Sequence, residues 1–193
     1  MICAALLAGG IGTRLDVGMP KQFYLIAGKP ILIHSLEAFL KVEEMDEIIV
    51  SSPKECINKT KDVIKEYELT DPRITVIEGG KRRSDTILNS INYTLENDYP
   101  KDSIMVTHDA ARIFVTPKLI KDSIRYAKQY GAASAVIPAT DVIFESKKYG
   151  ILTDVPDRQY LLQSQTPQSF NINHYIEIYS DLSDEEIDKL DEA

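Results

Sequence analysis

The feature that most constrains the fold of this chain is an alternation of short β-favouring runs with longer segments of helical period. The strand candidates, in chain order, are ICAALLA, EIIVSS, ITVIEG, SIMVTHDA and AASAVIPA. The helical segments that separate them cover residues 31–40, 57–67, 85–95 and 117–130. This alternation predicts an α/β fold in which helices cover both faces of a mostly parallel sheet. Ligands of such sheets bind at the carboxyl ends of the strands, so functional residues are expected directly after them.

The alternation stops after Pro138. Residues 138–162 read PATDVIFESKKYGILTDVPDRQYLL and alternate polar and apolar residues, as a hairpin or a projecting arm does. Such an arm suits dimerisation. The tail SDLSDEEIDKLDEA is strongly acidic and is expected to form a solvated terminal helix. With 193 residues, 44% of them hydrophobic, the chain is predicted to be a single domain over residues 1–193.

Charge and leader sequences limit the classes of partner. The 22 Lys and Arg residues against 30 Asp and Glu residues give a formal net charge of -8, which opposes broad attraction to nucleic acid or an anionic membrane. The N-terminus MICAALLAGG has no basic leader, and no apolar run is long enough to span a bilayer, so we expect a cytoplasmic protein. Cys3 and Cys56 form neither a disulfide framework nor a zinc pattern, and two unpaired thiols are expected.

A glycine-rich loop follows the first strand in the stretch LAGGIGTRLDVGMPKQ. A dinucleotide fingerprint would require a third glycine where Leu15 stands, and a P-loop would require Lys and Ser/Thr after Gly12 instead of Thr13 and Arg14. What remains is a loop whose bare amides face an anion, with Arg14 and Lys21 beyond it. Two cations suit a polyphosphate. The alternative is that the glycines are turn residues and the cations are solvated.

Three later stretches extend this motif: GGKRRSDT over 79–86, VTHDAAR over 106–112 and QSQTPQSF over 163–170. Together with LAGGIGTR and PKQ, they resemble the cytidylyltransferases that act on 2-C-methyl-D-erythritol 4-phosphate or on ribitol 5-phosphate. The resemblance runs in order from Met1 to about residue 170. The segments KPILIHS, VTHDA and QTPQSFN are more similar in sequence to the ribitol branch. The resemblance implies a three-layer Rossmann-like nucleotidyltransferase fold with a mostly parallel sheet and a projecting β-arm.

The activity that this resemblance implies is transfer of CMP from CTP to a polyol phosphate, with release of pyrophosphate. D-ribitol 5-phosphate is the predicted acceptor, which would make the product CDP-ribitol, a precursor of teichoic acid or capsule. The alternative acceptor is 2-C-methyl-D-erythritol 4-phosphate, in isoprenoid synthesis. A phosphate monoester is largely dianionic at neutral pH, because its second pKa is about 6, so the nucleophile needs no general base. The implied partners are CTP and the polyol phosphate, with Mg²⁺ as cofactor and a homodimer formed through the 138–162 arm.

The resemblance also implies roles for individual residues. Arg14 and Lys21 would be catalytic and stabilise the α-phosphate, and Asp109 would hold Mg²⁺. The CTP-binding residues would be Leu7, Ala8, Gly9, Gly10, Ile11, Gly12, Thr13, Gly79, Gly80, Arg83 and Thr86. The acceptor-binding residues would be Arg112, Asp141, Arg158 and Thr166.

Simpler structural roles compete with several of these assignments. Asp109 suits an N-cap or a turn, and Asp141 and Thr166 suit local turn hydrogen bonds. In GGKRRSDT, Lys81 and Arg82 are each open to a role as solvated charges. The three histidines of the chain have no partner pattern, and His108 in particular is expected to be structural.

The chain also departs from the family pattern. Ile113 stands where proline usually follows the arginine, and Val142 where a substrate-contacting threonine is common. The sequence stops at Ala193, where the resemblance predicts a few dozen further residues with a strand and a lysine near the acceptor phosphate. This truncation leaves open either a fragment, a natural short variant, or a CTP-binding module with little turnover.

Overall fold

The structure is a computed structural model that describes residues 1–9, 20–147 and 149–192. Its strands are β1 Ile2–Leu7, β2 Leu25–Ile26, β3 Lys29–Pro30, β4 Glu47–Ser52, β5 Ile74–Glu78, β6 Ile104–Asp109, β7 Ala132–Pro138 and β8 Leu162–Asn171. Its α-helices are α1 Ile31–Leu40, α2 Ile57–Glu66, α3 Arg83–Glu96, α4 Pro117–Tyr130, α5 Ile172–Asp181 and α6 Asp184–Glu192. Short 3₁₀ turns cover Lys21–Phe23, Lys54–Cys56 and Arg158–Tyr160.

A six-stranded sheet in the order β5-β4-β1-β6-β8-β7 forms the middle of the molecule. β5, β4, β1 and β6 pair in parallel, whereas β8 runs antiparallel to both β6 and β7. A separate two-stranded hairpin joins β2 to β3. The predicted α/β fold with a mostly parallel sheet is therefore confirmed.

Helices cover both faces of the sheet because each sheet face carries its own set of buried apolar side chains. On one face, Leu36 of α1, Ile64 of α2 and Ile120 of α4 pack against the strands. On the other face, Ile87 of α3 and Ile172 of α5 pack against the strands. Burying a large aliphatic side chain of this kind contributes about 1.5–3 kcal/mol to folding, so these two helical layers stabilise the sheet.

Local signals set the ends of the helices. Thr116 caps α4 by accepting a hydrogen bond from Leu119 N, and Pro117 occupies the first turn, as the sequence predicts. Gly131 ends the same helix with a φ of 87°, a left-handed conformation that glycine adopts without strain.

The second half of the chain differs from the sequence-based expectation in three places. QSQTPQSF lies inside the ten-residue strand β8, and α5 follows it at once; neither element is predicted from the sequence. The arm doubles back irregularly, with Glu145 N donating to Asp154 O, and forms an isolated bridge in place of a regular ladder. The acidic tail forms α6 as expected, but Ile187 is buried, so that helix is docked and not solvated all round.

Both cysteines are free and buried, and burial raises the pKa of the Cys3 thiol to about 12.

Within the described ranges, none of the helices has the length and apolar character that a bilayer crossing requires.

Candidate active site

The carboxyl ends of the parallel strands meet at one edge of the sheet. Ala8 N donates to Ser51 O at 2.9 Å, and Ala110 N donates to Leu7 O at 3.1 Å, so the chain stays bonded to its neighbours just past β1 and β6. Among the described residues, a Cβ added at Gly9 would meet nothing within 4 Å. The rest of the predicted loop, Gly10, Ile11, Gly12, Thr13 and Arg14, lies outside the described residues.

Three charged side chains converge beside the end of β1. Asp109, the last residue of β6, is paired in register with Leu7 of β1. Its Oδ2 accepts a hydrogen bond from Arg112 Nε at 2.9 Å, and its Oδ1 lies 3.8 Å from Nε of Arg83, the first residue of α3. We call Arg83, Asp109 and Arg112 the arginine–aspartate cluster. With two positive charges against one negative, the cluster is cationic.

A buried histidine joins the ends of β6 and β8. His108 Nε2 lies 3.2 Å from the carbonyl oxygen of Arg112, and His108 Nδ1 lies 2.9 Å from Thr166 Oγ1. Burial lowers the pKa of His108 to about 4, so the ring is neutral. A carbonyl only accepts, so Nε2 carries the proton and Nδ1 accepts the hydroxyl proton of Thr166. The structural role expected for His108 agrees with these contacts, and Thr166 Oγ1 in turn accepts from Asp109 N at 3.3 Å.

The Gly79–Gly80 turn after β5 is tied to the start of α3. Gly79 N donates to Ser52 O at 2.8 Å, and Gly80 N donates to Thr86 Oγ1 at 2.9 Å. A Cβ at Gly80 would lie 2.2 Å from Cβ of Asp85, so glycine is required there by close packing against the helix. The Thr86 hydroxyl also lies 3.0 Å from Arg82 O, to which it donates. The hydroxyl of Thr86, a residue predicted to bind CTP, is thus engaged within its own loop.

Arg82, for which the sequence left open a role as a solvated charge, is half-exposed and forms ion pairs. Arg82 Nη2 lies 3.2 Å from Asp85 Oδ1, and Arg82 Nη1 donates to Asp188 Oδ1 on α6 at 2.8 Å. Its backbone amide also donates to Asp85 Oδ2 at 3.1 Å, which completes a capping box at the start of α3. The acidic terminal helix therefore contacts the GGKRRSDT segment, several residues of which are predicted to bind CTP.

Lys21 opens the 3₁₀ turn after Pro20 and is half-buried. Its neighbour Gln22 is only 2% exposed, and neither atom of its side-chain amide has a hydrogen-bond partner in the part of the chain that is described. A buried amide without a partner is unfavourable by about 1–3 kcal/mol, so Gln22 is a functional candidate that the sequence reasoning missed. The available signal was its position directly after Lys21 in PKQ.

The predicted acceptor-binding residues of the arm lie on the exposed surface, outside the arginine–aspartate cluster. Arg158 and Asp141 are both exposed, and Arg158 Nη1 donates to Thr140 O at 3.0 Å. β7 ends at Pro138 on the same sheet edge as Asp109, because β7 and β6 both run antiparallel to β8. A groove of about 480 Å³ lies between this region and the cluster, lined by Arg112, Phe114, Val136, Ile137 and Thr166 among others.

The donor set suits one kind of metal site. Across residues 1–9, 20–147 and 149–192, no three His, Cys, Asp or Glu side chains lie close enough to hold a metal ion. Magnesium bound with a nucleotide needs only one or two carboxylates, since phosphates and waters complete its shell. The half-exposed carboxylate of Asp109 fits that requirement.

Fold and site together define an α/β nucleotidyltransferase: a mostly parallel sheet carries a cationic cluster and the half-exposed carboxylate of Asp109 at its carboxyl edge. The family model of 2-C-methyl-D-erythritol 4-phosphate cytidylyltransferase, IspD, matches residues 2–193. The chain belongs to this family, and it is a CTP-dependent cytidylyltransferase.

Solved structures agree in fold. The 4-diphosphocytidyl-2C-methyl-D-erythritol synthase of Anaerococcus prevotii superposes with a TM-score of 0.76 at 23% identity, over 95% of this chain and 76% of that one. Another synthase of that description gives a TM-score of 0.74 at 25% identity, over 95% and 81%. The 2-C-methyl-D-erythritol 4-phosphate cytidylyltransferase of Francisella tularensis gives 0.71 at 23%, over 95% and 82%.

Proposed function

We propose that this chain transfers CMP from CTP to D-ribitol 5-phosphate, which yields CDP-ribitol and pyrophosphate. The main support for this transfer activity is the arginine–aspartate cluster, in which Asp109 lies between Arg83 and Arg112. The cluster lies directly beside the end of β1. The choice of ribitol 5-phosphate rests on the similarity of the segments KPILIHS, VTHDA and QTPQSFN to the ribitol branch. The product would serve teichoic acid or capsule synthesis.

The nucleotide half of the proposed site follows the ends of β1 and β5. The amides of Ala8 to Gly12 hold the triphosphate, and Arg14 and Lys21 stabilise the α-phosphate as its coordination expands. The carbonyl oxygens of Gly79 and Gly80 accept the amino hydrogens of cytosine, while their amides are bonded within the protein. Uracil would bring a carbonyl to the same place and leave acceptors facing each other, which discriminates against UTP.

The acceptor half uses Arg112 of the cluster together with Asp141 and Arg158 of the arm. Arg112 and Arg158 bind the acceptor phosphate, since a planar guanidinium group suits phosphate oxygens, and Asp141 accepts from a polyol hydroxyl. Thr166 shapes this side of the site through its bond to His108.

Asp109 would hold Mg²⁺ together with the phosphates of CTP. When bound, Mg²⁺ would neutralise charge on the phosphates of CTP and help to orient them. The side chains do the remainder: Arg83 and Lys21 add positive charge, and Arg112 aligns the acceptor oxygen with phosphorus. Alignment and charge neutralisation are sufficient, because the phosphate nucleophile is already ionised at neutral pH.

2-C-methyl-D-erythritol 4-phosphate is the second candidate acceptor. The matching family and the proteins of similar structure, which are named for this substrate or its cytidylyl product, favour it. Both acceptors are polyol phosphates and would meet the same arginines, so specificity depends on contacts to the hydroxyl groups.

A panel of acceptors tests this proposal. Pyrophosphate release is measured with CTP and Mg²⁺ and with either ribitol 5-phosphate or 2-C-methyl-D-erythritol 4-phosphate, and each component is omitted in turn. We expect release only with all three components and a clear preference for ribitol 5-phosphate. A preference for the methylerythritol compound would overturn the acceptor assignment and leave cytidylyl transfer intact.

We also propose that residues 1–193 act as one domain and that two copies associate through the arm. The support is a set of apolar side chains that stay exposed in the single chain, among them Val142, Phe144, Leu152 and Tyr160. Light scattering at micromolar concentration tests this, and a monomeric mass would contradict it.

A further inference from the structure

Strand β8 supplies a glutamine to each arginine of the cluster. Gln168 Oε1 accepts a hydrogen bond from Arg83 Nη2 at 2.7 Å. Gln165 Oε1 accepts a hydrogen bond from Arg112 Nη1. Each guanidinium group therefore contacts Asp109 on one side and an amide oxygen on the other.

An irregularity in β8 allows both glutamines to reach the same site. Ser134 of β7 pairs with Gln168, but Val136 pairs with Ser164, so β8 advances four residues where β7 advances two. Residues three apart face opposite sides of a regular strand, and a bulge changes that direction. The irregular part lies between Gln165 and Gln168.

Gln168 is itself held in place. Its Nε2 donates to Ser164 Oγ at 3.1 Å, and its backbone oxygen accepts from Thr107 Oγ1 at 3.2 Å. With its amide nitrogen engaged by Ser164, the side chain presents its oxygen to Arg83. The arginine thus meets an acceptor that is already oriented.

The charge of these acceptors is as informative as their position. A carboxylate at either place would also bind the guanidinium group, but it would cancel the positive charge. An apolar side chain would remove this contact and leave Asp109 as the arginine's remaining partner within the cluster. A site for a triphosphate and a phosphate monoester needs cations that are both fixed and uncancelled. An amide oxygen meets both requirements.

We propose that Gln168 and Gln165 are positioning residues of the transfer reaction. Gln168 fixes Arg83 for the nucleotide, and Gln165 fixes Arg112 for the acceptor phosphate, each through a neutral amide that preserves the charge of the arginine. This inference rests on the roles proposed above for the two arginines, and it assigns the two glutamines to different substrates.

Two substitutions at Gln168 separate orientation from charge. In Gln168→Glu the contact with Arg83 persists, but the new carboxylate cancels the positive charge of Arg83. CTP should then bind about tenfold more weakly, the effect expected when the charged hydrogen bond from Arg83 to CTP is lost. In Gln168→Met the charge persists but the acceptor is gone, and a severalfold loss is expected. Binding of CTP with Mg²⁺ is measured by calorimetry without acceptor, next to the melting temperature without ligand.

The matching variant at Gln165 should show the opposite substrate dependence. Gln165→Glu should raise the KM of the acceptor by about tenfold and leave CTP affinity within about twofold of the parent, because Arg112 is assigned to the acceptor. A purely structural role would lower the melting temperature of both variants and would not divide their effects between the two substrates.

Gln129→Glu is the control, since Gln129 is exposed on α4, donates from its side-chain amide to the Tyr130 hydroxyl of the same helix, and gains the same charge when substituted. Gln168→Glu binding CTP as tightly as Gln129→Glu would overturn the Gln168 assignment. If the unaltered protein binds CTP but transfers CMP to neither acceptor, the acceptor assignment fails and the Gln165 role fails with it. The CTP measurements still decide the role of Gln168.

Discussion

The parallel strands and the arm both carry large apolar side chains, but these side chains have different environments. Ile48, Ile49 and Val50 of β4 are fully buried between two helical layers. In the arm, Phe144 is 55% exposed and Tyr160 is 79% exposed. The proposed nucleotide half of the site therefore lies on a core that this chain completes alone, whereas the proposed acceptor half extends onto an exposed surface that a second copy is proposed to cover.

The largest effect is expected at the sheet edge. Asp109→Asn keeps the shape of the side chain but removes the charge that would hold Mg²⁺, and the rate of pyrophosphate release should fall on the order of 100- to 1000-fold. Steady-state assays across a Mg²⁺ series would measure this. Loss of less than about tenfold would mean that this carboxylate is not part of the reacting site.

Next in size is the contrast in stability between core and arm. Leu36→Ala removes a fully buried side chain of α1 and should lower the free energy of unfolding by about 3 kcal/mol. Phe144→Ala in the arm should change that free energy by less than about 0.5 kcal/mol at concentrations that favour the monomer. Urea titrations of both variants test the contrast. Equal losses would show that the arm is packed within its own chain.

A smaller effect is expected for the arm arginine. Arg158→Ala should raise the KM of the polyol phosphate by about tenfold, because one charge-assisted contact to the acceptor phosphate is lost. CTP affinity, measured without acceptor, should not change. Weaker CTP binding in this variant would refute the division of the site between the sheet edge and the arm.

The smallest effect concerns the pH dependence of the sheet half. Arg73 donates to Asp71 and to the carbonyl oxygens of Leu40, Val42 and Met45, and its hydrogen bonds hold the pKa of the Asp71 carboxyl below its usual value. The stabilisation from Asp71 is therefore complete above its unfolded pKa, about 3.9, and is lost as pH falls through the lower folded pKa.

Asp71→Asn should accordingly reduce the free energy of unfolding by about 0.5–1 kcal/mol at pH 6, and the difference from the parent should shrink as pH falls toward 3. Denaturant titrations at the two pH values measure it. A constant difference would show that the ion pair does not contribute, and Asp154→Asn in the exposed arm serves as the comparison.

The arrangement of the sheet half was largely predictable because its signals are local. Periodicity predicted β1, β4, β5, β6 and the four helices beside them, and the expectation that function follows strand ends led to Asp109 and to the Gly79–Gly80 turn. Strand β8 was not predicted, because its polar side chains do not alternate as those of a half-buried strand do. Its pairing with β6 and β7 compensates for that weak pattern through backbone hydrogen bonds.

The site was predictable in its charges and not in its contacts. The motifs identified Arg83, Asp109 and Arg112 as candidates, but no motif indicated that α6 binds Arg82 or that Gln22 is buried without a partner among the described residues. Those features depend on which elements pack together, and an exposed-looking charge in the sequence carries no record of that packing.

The amino-acid sequence alone determined the alternation of β1, β4, β5, β6 and β7 with helices α1 to α4, the candidate residues at the strand ends and the family of the chain, because periodicity and short motifs depend on neighbouring residues. Only the tertiary structure decided which groups hold the two arginines. Arg83 meets Gln168 across 85 positions, and Arg112 meets Gln165 across 53. Contacts at such separations arise when β8 inserts beside β6, and the register of that pairing is set by the packing of the whole sheet.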